Sequence, residues 1–219
     1  MARKSTAEKA QSRDRILSAA ADLFRHQGIG NTSVAQVMDH AGMANGGFYR
    51  HFDSKSDLVA AAIDVAFRAG LDVFDNAGAG TAEQVRAYVN QYLSEQHIKE
   101  PEVGCPLPTL SPEVARGDKE WKQRLRQGFL TAVQKLEQGS DGASNTDALV
   151  ALSLMVGTVM VGRGLGDPEL ASELLEASRA QVDALIGTNC VEANAHHTSC
   201  APNACAYYLP SLHIALSHL

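Results

Sequence analysis

The sequence lacks most of what would place it among membrane, secreted or strand-built proteins. It has no run of ~18 uncharged apolar residues, the length a membrane-crossing helix needs. Its opening MARKSTAEKAQSRDR is too polar for a signal peptide. A cytoplasmic protein with no membrane partner is therefore expected. Four cysteines in 219 residues, Cys105, Cys190, Cys200 and Cys205, are too few for a disulfide scaffold and form no CxxC pair, which suits reduced thiols. Alternating apolar-polar stretches and internal repeats are missing, so the elements should be helices. Neither G-x-x-x-x-G-K-[ST] nor G-x-G-x-x-G occurs, which removes the common phosphate-cradling loops.

What is present is a core-forming composition, 45% hydrophobic, with charge unevenly spread. Up to Ser56 eight Lys/Arg face five Asp/Glu, giving +3, so the remainder carries −9 to reach the net −6. A basic head on an acidic body implies that only the head meets a polyanion.

Residues 11–27 place Ile16, Ala19, Ala20, Leu23 and Phe24 on one helical face, and Gly28 and Gly30 stop the run. Ser33 stands three residues before Gln36 with capping-box spacing and opens a short helix that Gly42 ends. A second short segment covers 45–52. Ser54-Lys55-Ser56-Asp57 then starts a long helix running to about residue 74. Two short helices across a tight glycine turn, propped by an amphipathic helix, form a helix-turn-helix.

The stretch AGMANGGFYRHFDSKSDL, 41–58, concentrates glycines, aromatics and cations. A catalytic reading needs a nucleophile and an orienting acid beside His51, and neighbours in sequence do not supply that geometry. A DNA reading needs small residues where a helix start approaches base edges, cations and hydroxyls for phosphates, and apolar residues behind. Asn45, Gly46, Gly47, Tyr49, Arg50, His51 and Lys55 meet the first two needs, and Phe48 and Phe52 the third.

In order and spacing, Thr32-Ser33-Val34, Ala41-Gly42-Met43, Gly46-Gly47-Phe48-Tyr49-Arg50-His51-Phe52 and Asp53-Ser54-Lys55-Ser56-Asp57-Leu58 resemble the N-terminal pattern of the TetR family of bacterial transcriptional regulators. The resemblance implies an all-α fold with a three-helix DNA-binding head (1–56) and a helical ligand-binding and dimerisation body (57–187). It implies that Thr32 and Ser33 meet a phosphate at the second helix start. Asn45, Gly46 and Gly47 would lead the recognition helix into the major groove, Tyr49 and His51 would touch phosphates, Arg50 would reach base or phosphate, and Lys55 would clamp a phosphate. Ala44 departs from the family's usual Ser or Thr cap, and Asn45 from its frequent Lys or Arg.

In the body, Thr81 and Gln84 form another capping box. Four prolines rule out one continuous helix over 101–112. A helix over 118–137 carries Trp121, Leu125 and Phe129 on one side. Residues 146–161 are apolar nearly all round, and Pro168 opens a last helix to about 186. The resemblance implies homodimerisation through 146–161 and 168–186, a double-stranded DNA operator, and an effector of unknown identity. Tyr88, Tyr92, Trp121, Phe129, Met155 and Met160 are candidate pocket residues, with plain core packing as the competing reading. Cys105, before Pro106, is a candidate sensor if it caps a helix start that lowers its thiol pKa, against an inert buried thiol.

The tail, 188–219, has one ionised residue, Glu192, together with Cys190, His196, His197, Cys200 and Cys205 in no standard zinc spacing. It is expected to be disordered or non-native. No metal, cofactor or catalytic set is expected, and the chain reads as a ligand-responsive repressor rather than an enzyme. The alternative is a helical enzyme or thiol-based sensor whose head binds a non-DNA partner.

Overall fold

The computed structural model describes residues 6–75, 81–140 and 142–187. The expected break at 76–80 and the whole tail with its cysteines and histidines lie outside the described residues. Among the described residues every regular element is helical: α1 (Thr6–Gln27), α2 (Val34–His40), a 3-10 turn (Asn45–Arg50), α3 (Lys55–Asp75), α4 (Ala82–Tyr92), α5 (Glu95–Lys99), a second 3-10 turn (Pro101–Val103), α6 (Leu107–Arg116), α7 (Lys119–Gly139), α8 (Asn145–Leu165) and α9 (Pro168–Ile186).

The helix starts follow from local chemistry. Ser33, Thr81 and Ser144 each close a reciprocal capping box, with Gln36, Gln84 and Asp147 respectively. Asp167 accepts from the amides of Glu169 and Leu170 at the start of α9. Gly42 adopts φ +66°, a left-handed conformation that lets the chain leave α2 and turn into the 3-10 segment. The helices depart from the sequence reading in places. α1 begins earlier than residue 11, and the short α5 is an addition to it, with Ser94 as a cap that accepts from the His97 amide. The prolines of 101–112 do break the backbone. Yet α6 starts among them, with Pro106 as its cap and Pro108 in its first turn, where proline gives up only an amide that has no helical partner; Pro112 lies farther inside the helix.

Ile16, Ala20 and Phe24 of α1 bury against Val37, Met38, Phe48 and Leu58 to make the core of the head, and Leu110, Leu136, Leu152 and Met155 belong to the core of the body. α1 packs on α3, α6 and the 101–103 turn, so head and body share one continuous core. Three polar ties reinforce that seam. The Glu113 carboxylate of α6 accepts from the amides of Ile29 and Gly30 at 2.9 and 2.6 Å. The Arg25 guanidinium, buried, donates to the Gly104 carbonyl at 3.0 Å. The Trp121 indole N–H donates to the Ser56 carbonyl at 3.1 Å.

Candidate nucleic-acid interface

The exposed edge of the head is built from the 3-10 turn and the starts of α2 and α3. Phe48 and Phe52 are buried and stack at 5.7 Å, anchoring the turn, as the sequence implies for this pair. Arg13 of α1 lies 4.9 Å over the Phe52 ring and ties the anchor to that helix. Tyr49 points the opposite way. Its ring is 77% exposed, edge-on to Phe48 at 5.2 Å, an unusual placement for an aromatic with nothing of its own chain to cover it. Arg50, Asn45 and Gly46 are exposed beside it. A Cβ built on Gly46 meets nothing within 4 Å, so this glycine answers no need inside the molecule and leaves backbone open to close approach from outside.

The segment expected as a recognition helix is a 3-10 turn of six residues. Its physical reason is visible in the sequence: two glycines of low helix propensity follow Ala44, which offers no side-chain cap.

The other expected contacts divide. The Ser33 hydroxyl accepts from the Gln36 amide at 3.2 Å and is exposed, which keeps its own proton for a phosphate oxygen. The Lys55 ammonium donates to the Ile29 carbonyl at 2.7 Å and is half-buried; two of its N–H groups remain. His51 ends the turn, its amide donating to the Phe48 carbonyl. Thr32 is a correction. It is buried, and its hydroxyl donates to the Gly28 carbonyl at 2.7 Å while accepting from Gln27 at 3.1 Å. It secures the α1–α2 turn and offers nothing to a phosphate.

The candidate pocket residues divide as well. Tyr88, Tyr92 and Cys105 line one cavity of about 220 Å3 between α3, α4 and the 94–105 segment. Phe129 lines a second, largely apolar groove of about 440 Å3 between α6, α7 and α8. Trp121, Met155 and Met160 line neither: Trp121 sits at the head–body seam, Met155 is fully buried core, and Met160 is 48% exposed on α8. All three do stand on helices as their spacing predicts, but spacing alone does not say which neighbour a face meets.

Cys105 also differs from expectation. Pro106, not Cys105, holds the cap position of α6. Burial pushes the thiol up, outweighing the help of Tyr92, the Leu107 amide, Arg163 and Arg25. Next to it, the His97 ring is fixed in one neutral form: Nδ1 donates to the Tyr92 carbonyl at 2.8 Å, and Nε2 accepts from the Cys105 amide at 3.0 Å. Burial, with Arg163 and Arg25 nearby, holds its pKa down to about 4 from 6.5, against the raising effect of the Tyr92 carbonyl.

A folded-state pKa below the unfolded one means that the unfolded chain binds the extra proton. Stability from His97 is then fully present above pH 6.5 and is lost as pH falls toward 4. The depression corresponds to ~3 kcal/mol. Urea unfolding followed from pH 7 to pH 4 is expected to show this loss, and His97→Gln is expected to flatten it. An equal slope in both proteins contradicts the assignment.

Sequence reasoning missed Arg25, Glu113 and Arg163. Arg25 gave a faint signal: it stands four residues after Ala21 and eight after Leu17, both buried on the apolar side of α1. Arg163 donates to the His97 carbonyl at 2.7 Å and to the Thr109 hydroxyl at 2.8 Å, and no linear pattern marks it.

Residues 16–62 match the family model described as bacterial regulatory proteins of the tetR family. Among relatives, the HTH-type transcriptional regulator AcrR of Shigella flexneri is 43% identical over 58 residues, 26% of this chain and 27% of its own length. An HTH-type transcriptional regulator of Mycobacterium tuberculosis is 26% identical over 130 residues, 59% of this chain and 66% of its own length, so the match spans just under two thirds of that relative. In fold, the chain is similar to the reduced form of E. coli NemR, with a TM-score of 0.68 at 20% identity over 83% of this chain and 100% of that one. It is also similar to a TetR-family transcriptional regulator from Cytophaga hutchinsonii, with a TM-score of 0.67 at 17% identity over 84% and 98%. On these matches the chain carries the head of the TetR family of bacterial transcriptional regulators over residues 16–62 and, through its described residues, shares the all-α fold of TetR-family regulators.

Proposed function

We propose that this chain is a cytoplasmic, homodimeric repressor that holds a palindromic double-stranded operator and lets it go when a small molecule occupies the body. The observation that carries the reading is the exposed edge at 45–50, where Tyr49 stands outward, Arg50 flanks it and Gly46 leaves bare backbone. Tyr49, Arg50 and Ser33 supply phosphate contacts, with His51 and Lys55 beside them. Asn45 faces an adenine edge while Gly46 and Gly47 let the backbone approach. Labour divides at about residue 56, the head reading DNA and 57–187 pairing and sensing.

Pairing is supported by α8 and α9. α8 is long and apolar enough to cross a membrane by length and composition, yet only 39% of its apolar stretch is buried within the chain. Val150, Met160, Val161, Leu165 and Leu170 are exposed. Gly157 and Gly164 share that outer side, and a Cβ on either meets nothing within 4 Å. Mid-helix glycine costs helix stability, so its use where this chain needs no room suits close approach by a second copy. A two-fold pair sets two heads at neighbouring half-sites and doubles a contact too small for tight binding alone.

Release is assigned to a bound effector rather than to modification of Cys105, because the thiol is buried and held protonated. The shift passes through α3, and through the Glu113 and Arg25 ties that join α6 and Gly104 to the head. Selection of duplexes from random DNA, followed by footprinting, tests the reading. Protection of two inverted half-sites is expected, and binding indifferent to sequence counts against it.

A further inference from the structure

The cavity between α3, α4 and the 94–105 segment has the makings of a specific site rather than a packing defect. At about 220 Å3 it exceeds the ~150 Å3 apolar cavity known to hold a benzene. Its buried wall is aromatic, with Tyr88 and Tyr92 edge-to-face at 5.7 Å and Tyr92 and His97 at 4.5 Å, and Gln91, Ser94 and Gln96 complete the lining. The Tyr92 hydroxyl is buried beside the Cys105 thiol, a weak acceptor, and has no oxygen or nitrogen partner among the described residues. A buried donor left open costs ~1–3 kcal/mol, which marks it as waiting for an acceptor.

The cavity lining itself favours an anion over a cation. Among the described residues that line it none is acidic. Arg163 and Arg25 both act on Cys105; Arg25 is paired with Asp22 at 2.8 Å, whereas Arg163 has no carboxylate at ion-pair distance among the described residues, Glu102 acting on it only from farther away. Burial keeps both tyrosines in the neutral, donating form, and His97 is already committed on both nitrogens. The Tyr92 proton is therefore directed at an oxygen, and the surrounding field favours that oxygen being anionic.

We propose that this cavity is the effector site and that its ligand is a small single-ring carboxylate, accepting a hydrogen bond from the Tyr92 hydroxyl within the field of Arg163. The proposal rests on the reading of the chain as an effector-responsive regulator and names the site and ligand class within it. Its output is built in. The Gly104 carbonyl in the cavity wall is held by Arg25 of α1, so a ligand that displaces 103–105 pulls directly on the helix that braces the DNA-reading turn.

Calorimetric titration of the full chain with benzoate and with uncharged benzamide tests this. Benzoate is expected to bind saturably at one site per protomer, with benzamide weaker by about tenfold or more, and Tyr92→Phe is expected to weaken benzoate by about tenfold. Gly70→Leu supplies an independent block. Gly70 lines the cavity, and a Cβ there meets only the Cys105 Cα at 3.8 Å, so leucine is tolerated by the helix and fills the space. Loss of benzoate binding in this variant is expected. No saturable benzoate binding, full binding in Gly70→Leu, or equal affinity for benzamide overturns the assignment. With a selected duplex present, benzoate should lower DNA affinity. Saturable binding without that effect overturns the effector role while the DNA-binding reading stands. Failure of the unliganded chain to bind any duplex specifically sinks the parent reading instead, whatever the cavity does.

Discussion

Gly157→Glu is expected to leave the protomer folded and slightly more stable while converting the proposed dimer to monomers. Gly157 lies in the middle of α8 with open space where a side chain would stand, and replacing mid-helix glycine with a good helix former contributes about 0.5 kcal/mol. Across a two-fold axis the same change places a carboxylate on each side of one interface. It removes the close approach and buries two like charges, each costing several kcal/mol when desolvated without a partner. A loss of ~4 kcal/mol in pairing is a change of about 1,000-fold in the dimer constant. Operator affinity should fall with it, since each head is left with a single half-site. Sedimentation of the variant, read beside its melting temperature, separates the two effects. A variant that remains dimeric shows that α8 does not form the interface.

Tyr49→Ala combined with Arg50→Ala is expected to abolish specific DNA binding without unfolding anything. Both side chains are exposed, and the anchor beneath them, Phe48 on Phe52, is untouched. Surface changes of this kind alter stability little. Two charge-assisted hydrogen bonds to phosphate, at ~1.5 kcal/mol each, amount to at least about 100-fold per head. Removing one arginine from each of two heads should also lower the salt dependence of binding, by about 2 in the log–log slope. Fluorescence anisotropy on a labelled duplex across a salt series reads both. The single Trp121, whose indole N–H rests on Ser56 at the start of α3, reports whether the seam is intact in the variant.

The head and the body are not equally readable from sequence. Helix starts are legible because the signal is local: a serine or threonine and its partner three residues on, as in Ser33 with Gln36 and Thr81 with Gln84, make the same bonds in the fold. The inward turn of Phe48 and Phe52 is legible for a similar reason, since their four-residue spacing puts both on one side. What a face touches is not. Glu113 reaches Ile29 across 84 residues, and Arg25 reaches Gly104 across 79; no pattern along the chain encodes those meetings. Trp121, Met155 and Met160 all sit on apolar helical faces, yet one meets the seam, one the core and one the surface. Thr32 misleads because a hydroxyl beside a helix start satisfies the backbone as readily as it binds a phosphate. In this fold the Gly28 carbonyl lies nearer.

Two copies of one cationic head, spaced by an apolar pairing of α8 and α9, are proposed to read DNA through the edge at 45–50. Native mass measurement of the protein on a duplex recovered by selection tests this most directly. Two protomers per duplex are expected, with half-sites about one helical turn apart. A single protomer bound with undiminished affinity contradicts this.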